Sequence, residues 1–561
     1  MKKLLSLLLA CVMGLTLLAG CSNTDPSSSS NGQTDKNASQ TISIAQSANF
    51  SMGFAPAVQS YEATYYMNNF YEPLVKYQDG EYQPCLATDW TNSDDGLTYT
   101  FHLREDVKFN DGTPFNAEAV KLYFDNMKSV IGTSSNYGQL DMLTSEITVD
   151  DEYTVSFHLT RPYYNVLNDL SMVMPRGILS ASAFNEDGSL NSEYLMNHTP
   201  GTGPYMFESV NDTATEYTFV RNPNYWGEEP DVDSFTVKVI PESKVAAMRA
   251  GEVDFIIGSD TLDAASYQEL SSTEGITGVI SDFDFVTEFI ALNDEVAPLD
   301  DINIRKAIQM AIDKESIAQN IYSGLRTEAD SVMPADMPYC EVDVTTPSYD
   351  MDAAIELMDK SGWTDTDGDG IREKDGKKLS FTITYPSTGV YDKVVLFFQD
   401  SMKKLGIEIT TNPIDLMAFM QQVFTEGNYE ITAYMSYWFP YDPYTFVANM
   451  YPSTDYTDAS GIYSTDPQIA KALATMSEEE AKELIAGLYK TDDPDTVQNI
   501  FTTALNSANE SSVVIPLNYR NEYAVFNNEV IESYTFNSIP NHVDVAAIKL
   551  KYFFIDYLFY F

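Results

Sequence analysis

Arg176 stands alone in an apolar run, LSMVMPRGIL (170–179). A guanidinium in such surroundings is costly to bury unless it meets an anion. That anion could be a ligand carboxylate or one of the chain's many Asp and Glu side chains, and simple exposure would also account for the residue. A second signal is MSYWFPYDPYTFVANMY (435–451), where Tyr437, Trp438, Phe439, Tyr441, Tyr444 and Tyr451 crowd behind a strand ending near Tyr434. In α/β sheets ligands sit beyond the carboxyl ends of strands, so these rings can wall a binding site. A buried aromatic core is the other reading, and it suits Phe446 better than the turn at Tyr441-Asp442-Pro443.

Other reactive residue types form weaker patterns. In TDTDGDGIREKDG (364–376), Asp365, Asp367 and Asp369 alternate before Gly370 and could point carboxylates at one centre, as calcium loops do. Position 12 is Gly376, however, with no bidentate Glu, so a solvated hairpin loop is favoured and calcium stays open. The histidines at 102, 158, 198 and 542 are scattered, and neither C-x-x-C nor H-E-x-x-H occurs, which argues against an autonomous site of N and S ligands. Cys85 and Cys340 could pair in an exported protein, although spacing cannot show it. SMKK (401–404) fits S-x-x-K without its companion motifs, and there is no G-x-S-x-G or P-loop. No enzyme and no cofactor are expected.

The elements that must position these residues are legible. Tyr205–Val210 and Glu216–Arg221 alternate as a hairpin after Gly201 and Gly203, and Asn222, Pro223 and Asn224 break the second run. Strands at 235–240 and 253–257 flank a helix, with Pro241 expected in its first turn and Gly251 at its end. Ile304, Ala307, Ile308, Ala311 and Ile312 form a helical stripe for packing. From Leu379 the order is strand, helix Asp392–Leu405, strand, helix 416–425, strand 429–434, which argues a mostly parallel α/β unit.

Residues 1–20 read as a secretion signal, with Lys2 and Lys3 ahead of a short apolar core, and residues 21–40 as a flexible polar tether. With 83 acidic against 32 basic residues the net charge is −51, which repels polyphosphates and excludes a nucleic-acid partner. The apolar tail 551–561 is too short to span a membrane.

LLAGC (17–21) resembles the bacterial lipobox, which implies lipidation at Cys21 and anchoring on the extracytoplasmic face of the cell membrane. FYEPLV (70–75), DGLTYTFHLREDVKFNDGTPFNAEAV (95–120), GTGPY (201–205) and VRNPNYWG (220–227) resemble the family-5 extracellular solute-binding proteins of ABC importers over roughly 41–545. The resemblance implies a two-lobed α/β fold of the periplasmic-binding-protein type (type II) with an extra subdomain in the first lobe. Lobe I would hold 41–285 plus 520–550, and lobe II 286–519. It implies a monomeric receptor that closes on a small polar solute and delivers it to a permease and its ATPase. MPR resembles the segment of nickel- and metallophore-binding members, implying that Arg176 grips ligand carboxylates. Tyr437 and Tyr441 match aromatic contacts of that subgroup, Trp438 is offset by one, and Tyr61, in the loop after the first strand, is a weaker candidate. Asp455 stands where the nickel receptor has a histidine contact to the metal. A peptide ligand is the alternative, its amine meeting Asp442; a calcium-binding structural lipoprotein is a further one.

Overall fold

The computed structural model describes residues 40–59, 61–78, 81–131, 138–258, 261–387, 389, 391–436, 443–448, 450, 475–488, 490–536 and 542–551. Cys21, Tyr437, Trp438, Tyr441, Asp442, Asp455 and residues 552–561 lie outside them.

The chain is built on one 11-stranded sheet. Its order is Tyr205–Val210, Glu216–Arg221, Ser234–Val239, Thr41–Gln46, Phe255–Ile257, Val514–Asn527, Ile276–Leu292, Ile431–Met435, Ser380–Pro386, Glu408–Ile414, with Arg326–Glu328 added beside Val514–Asn527. The expected hairpin has the boundaries its alternation dictates, with Phe219 and Tyr217 buried on one face. Pro241 does not open a helix; Lys244–Arg249 starts after Ser243, whose φ of 65° breaks the chain direction first.

Two strands run through both halves of the sheet. Ile276–Leu292 runs through the acid-bearing segment SDFDFVTE (281–288), held as a strand by pairing along Val514–Asn527. Their first-half ends carry Phe255–Ile257, and their second-half ends carry Ile431–Met435. Between the two halves the register shifts at Ile280/Asp284 and Asp284/Val286, and such bulges let strands bend and twist. The strand pair thus joins the two halves of one continuous mixed sheet.

A separate antiparallel sheet, ordered Ala87–Asn92, Thr98–Leu103, Thr154–Leu159, Thr144–Asp151, sits under the helix Ala117–Ile131. Phe157 packs edge-on against Phe124 and Phe101, with centroids 5.0 and 5.7 Å away. On the other side, Ser380–Pro386 pairs in parallel with both Glu408–Ile414 and Ile431–Met435. Asp392–Leu405 connects two of these strands and ends at Gly406 in the left-handed conformation, as its sequence requires. Ile304, Ala307, Ile308, Ala311 and Ile312 are all core residues.

Candidate ligand-binding site

Four sequence motifs of the first half converge on one carboxylate. Glu72 is buried, and its Oε2 accepts hydrogen bonds from the Thr202 hydroxyl at 2.7 Å and the Trp226 indole at 2.8 Å. Arg104 lies 4.0 Å over the Trp226 ring. FYEPLV, HLRED, GTGPY and NYWG are therefore one packed unit. Gly201 and Gly203 are required by close approach, since a Cβ on Gly201 would collide with the Phe70 backbone and the Tyr71 ring, and one on Gly203 with the backbone of Asn69 and Phe70. Burial pushes the Glu72 carboxyl up to about 7, against the lowering effect of its two hydrogen-bond donors.

Arg176 ends the short segment Val173–Arg176 and is 1% exposed. Its Nη2 lies 2.5 Å from Asp141 Oδ2 and 3.9 Å from Asp169 Oδ2, and its Nη1 donates to the Asp169 carbonyl at 3.0 Å. The Asp169 carboxylate accepts from the backbone of Gln139 and Leu140 and from the Tyr163 hydroxyl. Burial works against the Arg176 charge, but Asp141 and Asp169 together outweigh it and hold its pKa above the ordinary value. The internal ion pair, one of the readings open from sequence, is thus present. Asp141 and Asp169 carried no signal in the sequence beyond being two acids among 83. Tyr61 is not in an extended loop; it opens the short helix Tyr61–Thr64.

A second buried polar cluster sits on the crossing strands. Glu288 accepts from the Tyr322 hydroxyl at 2.7 Å, the Asn518 amide at 2.7 Å and the Arg326 guanidinium at 3.1 Å. Arg326 also covers the Tyr322 ring, 3.5 Å from its centroid. Burial pushes the Tyr322 hydroxyl well above its usual range. Arg520, 2% exposed, reaches the Met435 sulfur at 3.2 Å. Sequence reading missed this cluster, because its members come from four separate elements.

The Asp365 loop brings the carboxylates of Asp365, Asp367 and Glu373 within 4.8 Å of one another. Asp369 turns away to Lys378, whose ammonium is also 3.3 Å from Asp367. The loop leads into the hairpin Glu373–Lys374/Lys377–Lys378. Cys85 and Cys340 are both buried and are not joined by a disulfide.

One large mixed sheet with helices packed along it is the fold of the periplasmic binding proteins. Residues 81–458 match the bacterial extracellular solute-binding proteins, family 5. The chain belongs to that family, whose members are non-enzymatic receptors of ABC importers. It is 30% identical over 428 residues to the nickel-binding periplasmic protein of Escherichia coli, covering 74% of this chain and 80% of that one. It is 29% identical over 377 residues to heme-binding protein A of Haemophilus influenzae, covering 62% and 67%. Among solved structures, NikA from Brucella suis in complex with Fe(III)-EDTA superposes with a TM-score of 0.79 at 27% identity, covering 91% of this chain and 100% of that one. DppA from Helicobacter pylori, in complex with the peptide STSA, shares the fold at a TM-score of 0.71 and 23% identity, covering 91% and 98%. Among the described residues no helix is long and apolar enough to cross a membrane.

Proposed function

We propose that the solute is a nickel chelate or metallophore, captured by hinge closure and released to the permease and its ATPase. The observation that carries this reading is the likeness to the nickel-binding protein of Escherichia coli, at 30% identity over 80% of its length. Closure would be driven by contacts that exist only in the closed state. The lobes would be 41–285 plus 520–550 and 286–519, and the receptor a monomer tethered through a lipid on Cys21 at the extracytoplasmic face of the cell membrane.

In this reading Tyr437, Trp438 and Tyr441 are aromatic walls, Arg176 meets a ligand carboxylate, and Tyr61 is an auxiliary contact. Because Asp141 holds Nη2 of Arg176, the ligand has to share that guanidinium with Asp141. Asp455 in place of a histidine suits recognition of the chelate by its organic shell rather than by its metal.

A peptide is the second reading, with Asp442 receiving the amine, and the fold shared with the peptide complex of DppA supports it. Calorimetry of the purified protein against nickel–histidine and a dipeptide mixture separates the two. Heat from the chelate alone is expected; binding of peptides but not chelates would sink the nickel reading.

A further inference from the structure

We infer that Glu72 is a proton-operated latch: neutral, it locks the segment after Arg176 to the motifs GTGPY and NYWG, and charged, it loosens all three. The latch itself is independent of the solute; its effect on capture rests on the proposed role of Arg176. Glu72 makes two kinds of connection. Its side-chain Oε2 accepts from the Thr202 hydroxyl at 2.7 Å and the Trp226 indole at 2.8 Å, while its backbone carbonyl accepts from the Ile178 amide at 3.2 Å. The packing around these bonds leaves no slack. A Cβ on Gly177 would stand 2.6 Å from the Tyr71 Cβ, and the Gly203 amide donates to the Phe70 carbonyl at 3.0 Å. Residues 70–72 therefore hold three distant stretches of chain, and a shift of Glu72 is felt by all of them.

The surroundings make the proton matter. Glu72 is 8% exposed, and among the described residues no cation forms an ion pair with it. Lys76 and Arg104 favour its charge only from a distance, and Arg104 is taken up by Asp106 at 3.2 Å and by the Trp226 ring. Cys85 and Tyr225 also face the carboxyl, and burial keeps both uncharged near neutral pH. Two neutral donors do not repay the transfer of a carboxylate out of water, in keeping with a carboxyl pushed up to about 7. Opening the latch hydrates Glu72 and returns it to ordinary acidity, so opening becomes easier as pH rises. Arg176 immediately precedes Gly177, and a solute gripped there is held less firmly once the latch loosens.

Amide hydrogen exchange of the purified protein, without solute, tests the latch. In the fragments holding Ile178 and Gly203, wild type is expected to speed up about tenfold between pH 6 and 8 relative to E72Q, whose carboxamide can accept the same bonds and cannot charge. If E72Q does not fold, the helix Asp392–Leu405 of wild type serves as the reference for the same change. For capture, the ratio of wild-type to E72Q Kd for nickel–histidine is expected to rise at least about threefold across that range, the chelate's own titration cancelling in the ratio. The same pH response in wild type and E72Q, or in the two fragments and the reference helix, would overturn the latch. Faster exchange with a constant Kd ratio would overturn its effect on capture. A wild type that takes no nickel–histidine removes the chelate reading, and exchange still decides the latch.

Discussion

The indole of Trp226 donates to the carboxylate of Glu72 across 2.8 Å and 154 positions of sequence. That bond joins two motifs that otherwise look like separate turns, and it places an acid with a pKa of about 7 inside the first half of the molecule.

A pH dependence follows from Glu72. Its folded pKa lies above the ordinary value of 4.5, so between pH 4.5 and 7 the folded state keeps a proton that the unfolded state has released. Its contribution to stability is therefore full at the acid end of that window and falls as pH rises through it. E72Q, which can still accept from Thr202 and Trp226, is expected to match wild type at about pH 4.5 and to exceed it by up to about 3 kcal/mol at about pH 8. Denaturant unfolding at the two pH values checks this; equal differences at both would refute it.

His542 has the opposite slope. Burial pushes its imidazole down to about 4 from 6.5. Between those values the unfolded state binds the proton more readily, so stability is lost as pH falls from about 6.5 toward 4. H542F is expected to flatten that part of the stability profile, by about 2–3 kcal/mol at its acid end. Urea titrations of both proteins across the window measure it.

The Arg176–Asp141 pair separates stability from binding. D141A leaves a buried guanidinium poorly compensated and is expected to cost about 3–5 kcal/mol of stability. The double variant R176M/D141L is expected to recover most of that loss, because apolar residues of similar volume replace buried pairs well. If Arg176 also meets the ligand, R176A and the double variant lose at least about tenfold in affinity. Unchanged affinity with altered stability would confine Arg176 to the internal pair.

Gly203 is expected to be intolerant of even one methyl group. A Cβ there would stand 2.7 Å from the Asn69 carbonyl oxygen and from the Phe70 carbonyl carbon, and backbone cannot rotate away as a side chain can. G203A should lower thermal stability by the equivalent of about 1–3 kcal/mol, while an alanine at Gly112, which has open space around it, should cost only the strain of its left-handed φ. Thermal melts of the two variants compare them.

The Asp365 loop is expected to show no thermal shift with millimolar calcium, since Lys378 already faces Asp367 and Asp369. A clear upward shift in the wild-type melt would reverse that expectation.

What the sequence by itself determined were the features written within one element's length. The hairpin Tyr205–Val210/Glu216–Arg221 follows from alternation and a turn, and Asp392–Leu405 from an amphipathic period closed by Gly406. The buried stripe Ile304–Ile312 follows in the same way, and the long motifs carried the family. Only the tertiary structure decided partners. Asp141 meets Arg176 across 35 positions, Thr202 meets Glu72 across 130, and Asn518 meets Glu288 across 230. The acid-rich middle of Ile276–Leu292 is a strand because a distant strand supplies its hydrogen bonds. The physical reason is the same in each case. Periodicity reports which face a residue takes along its own element, whereas the neighbour of a buried charge is chosen by how elements far apart in sequence pack together.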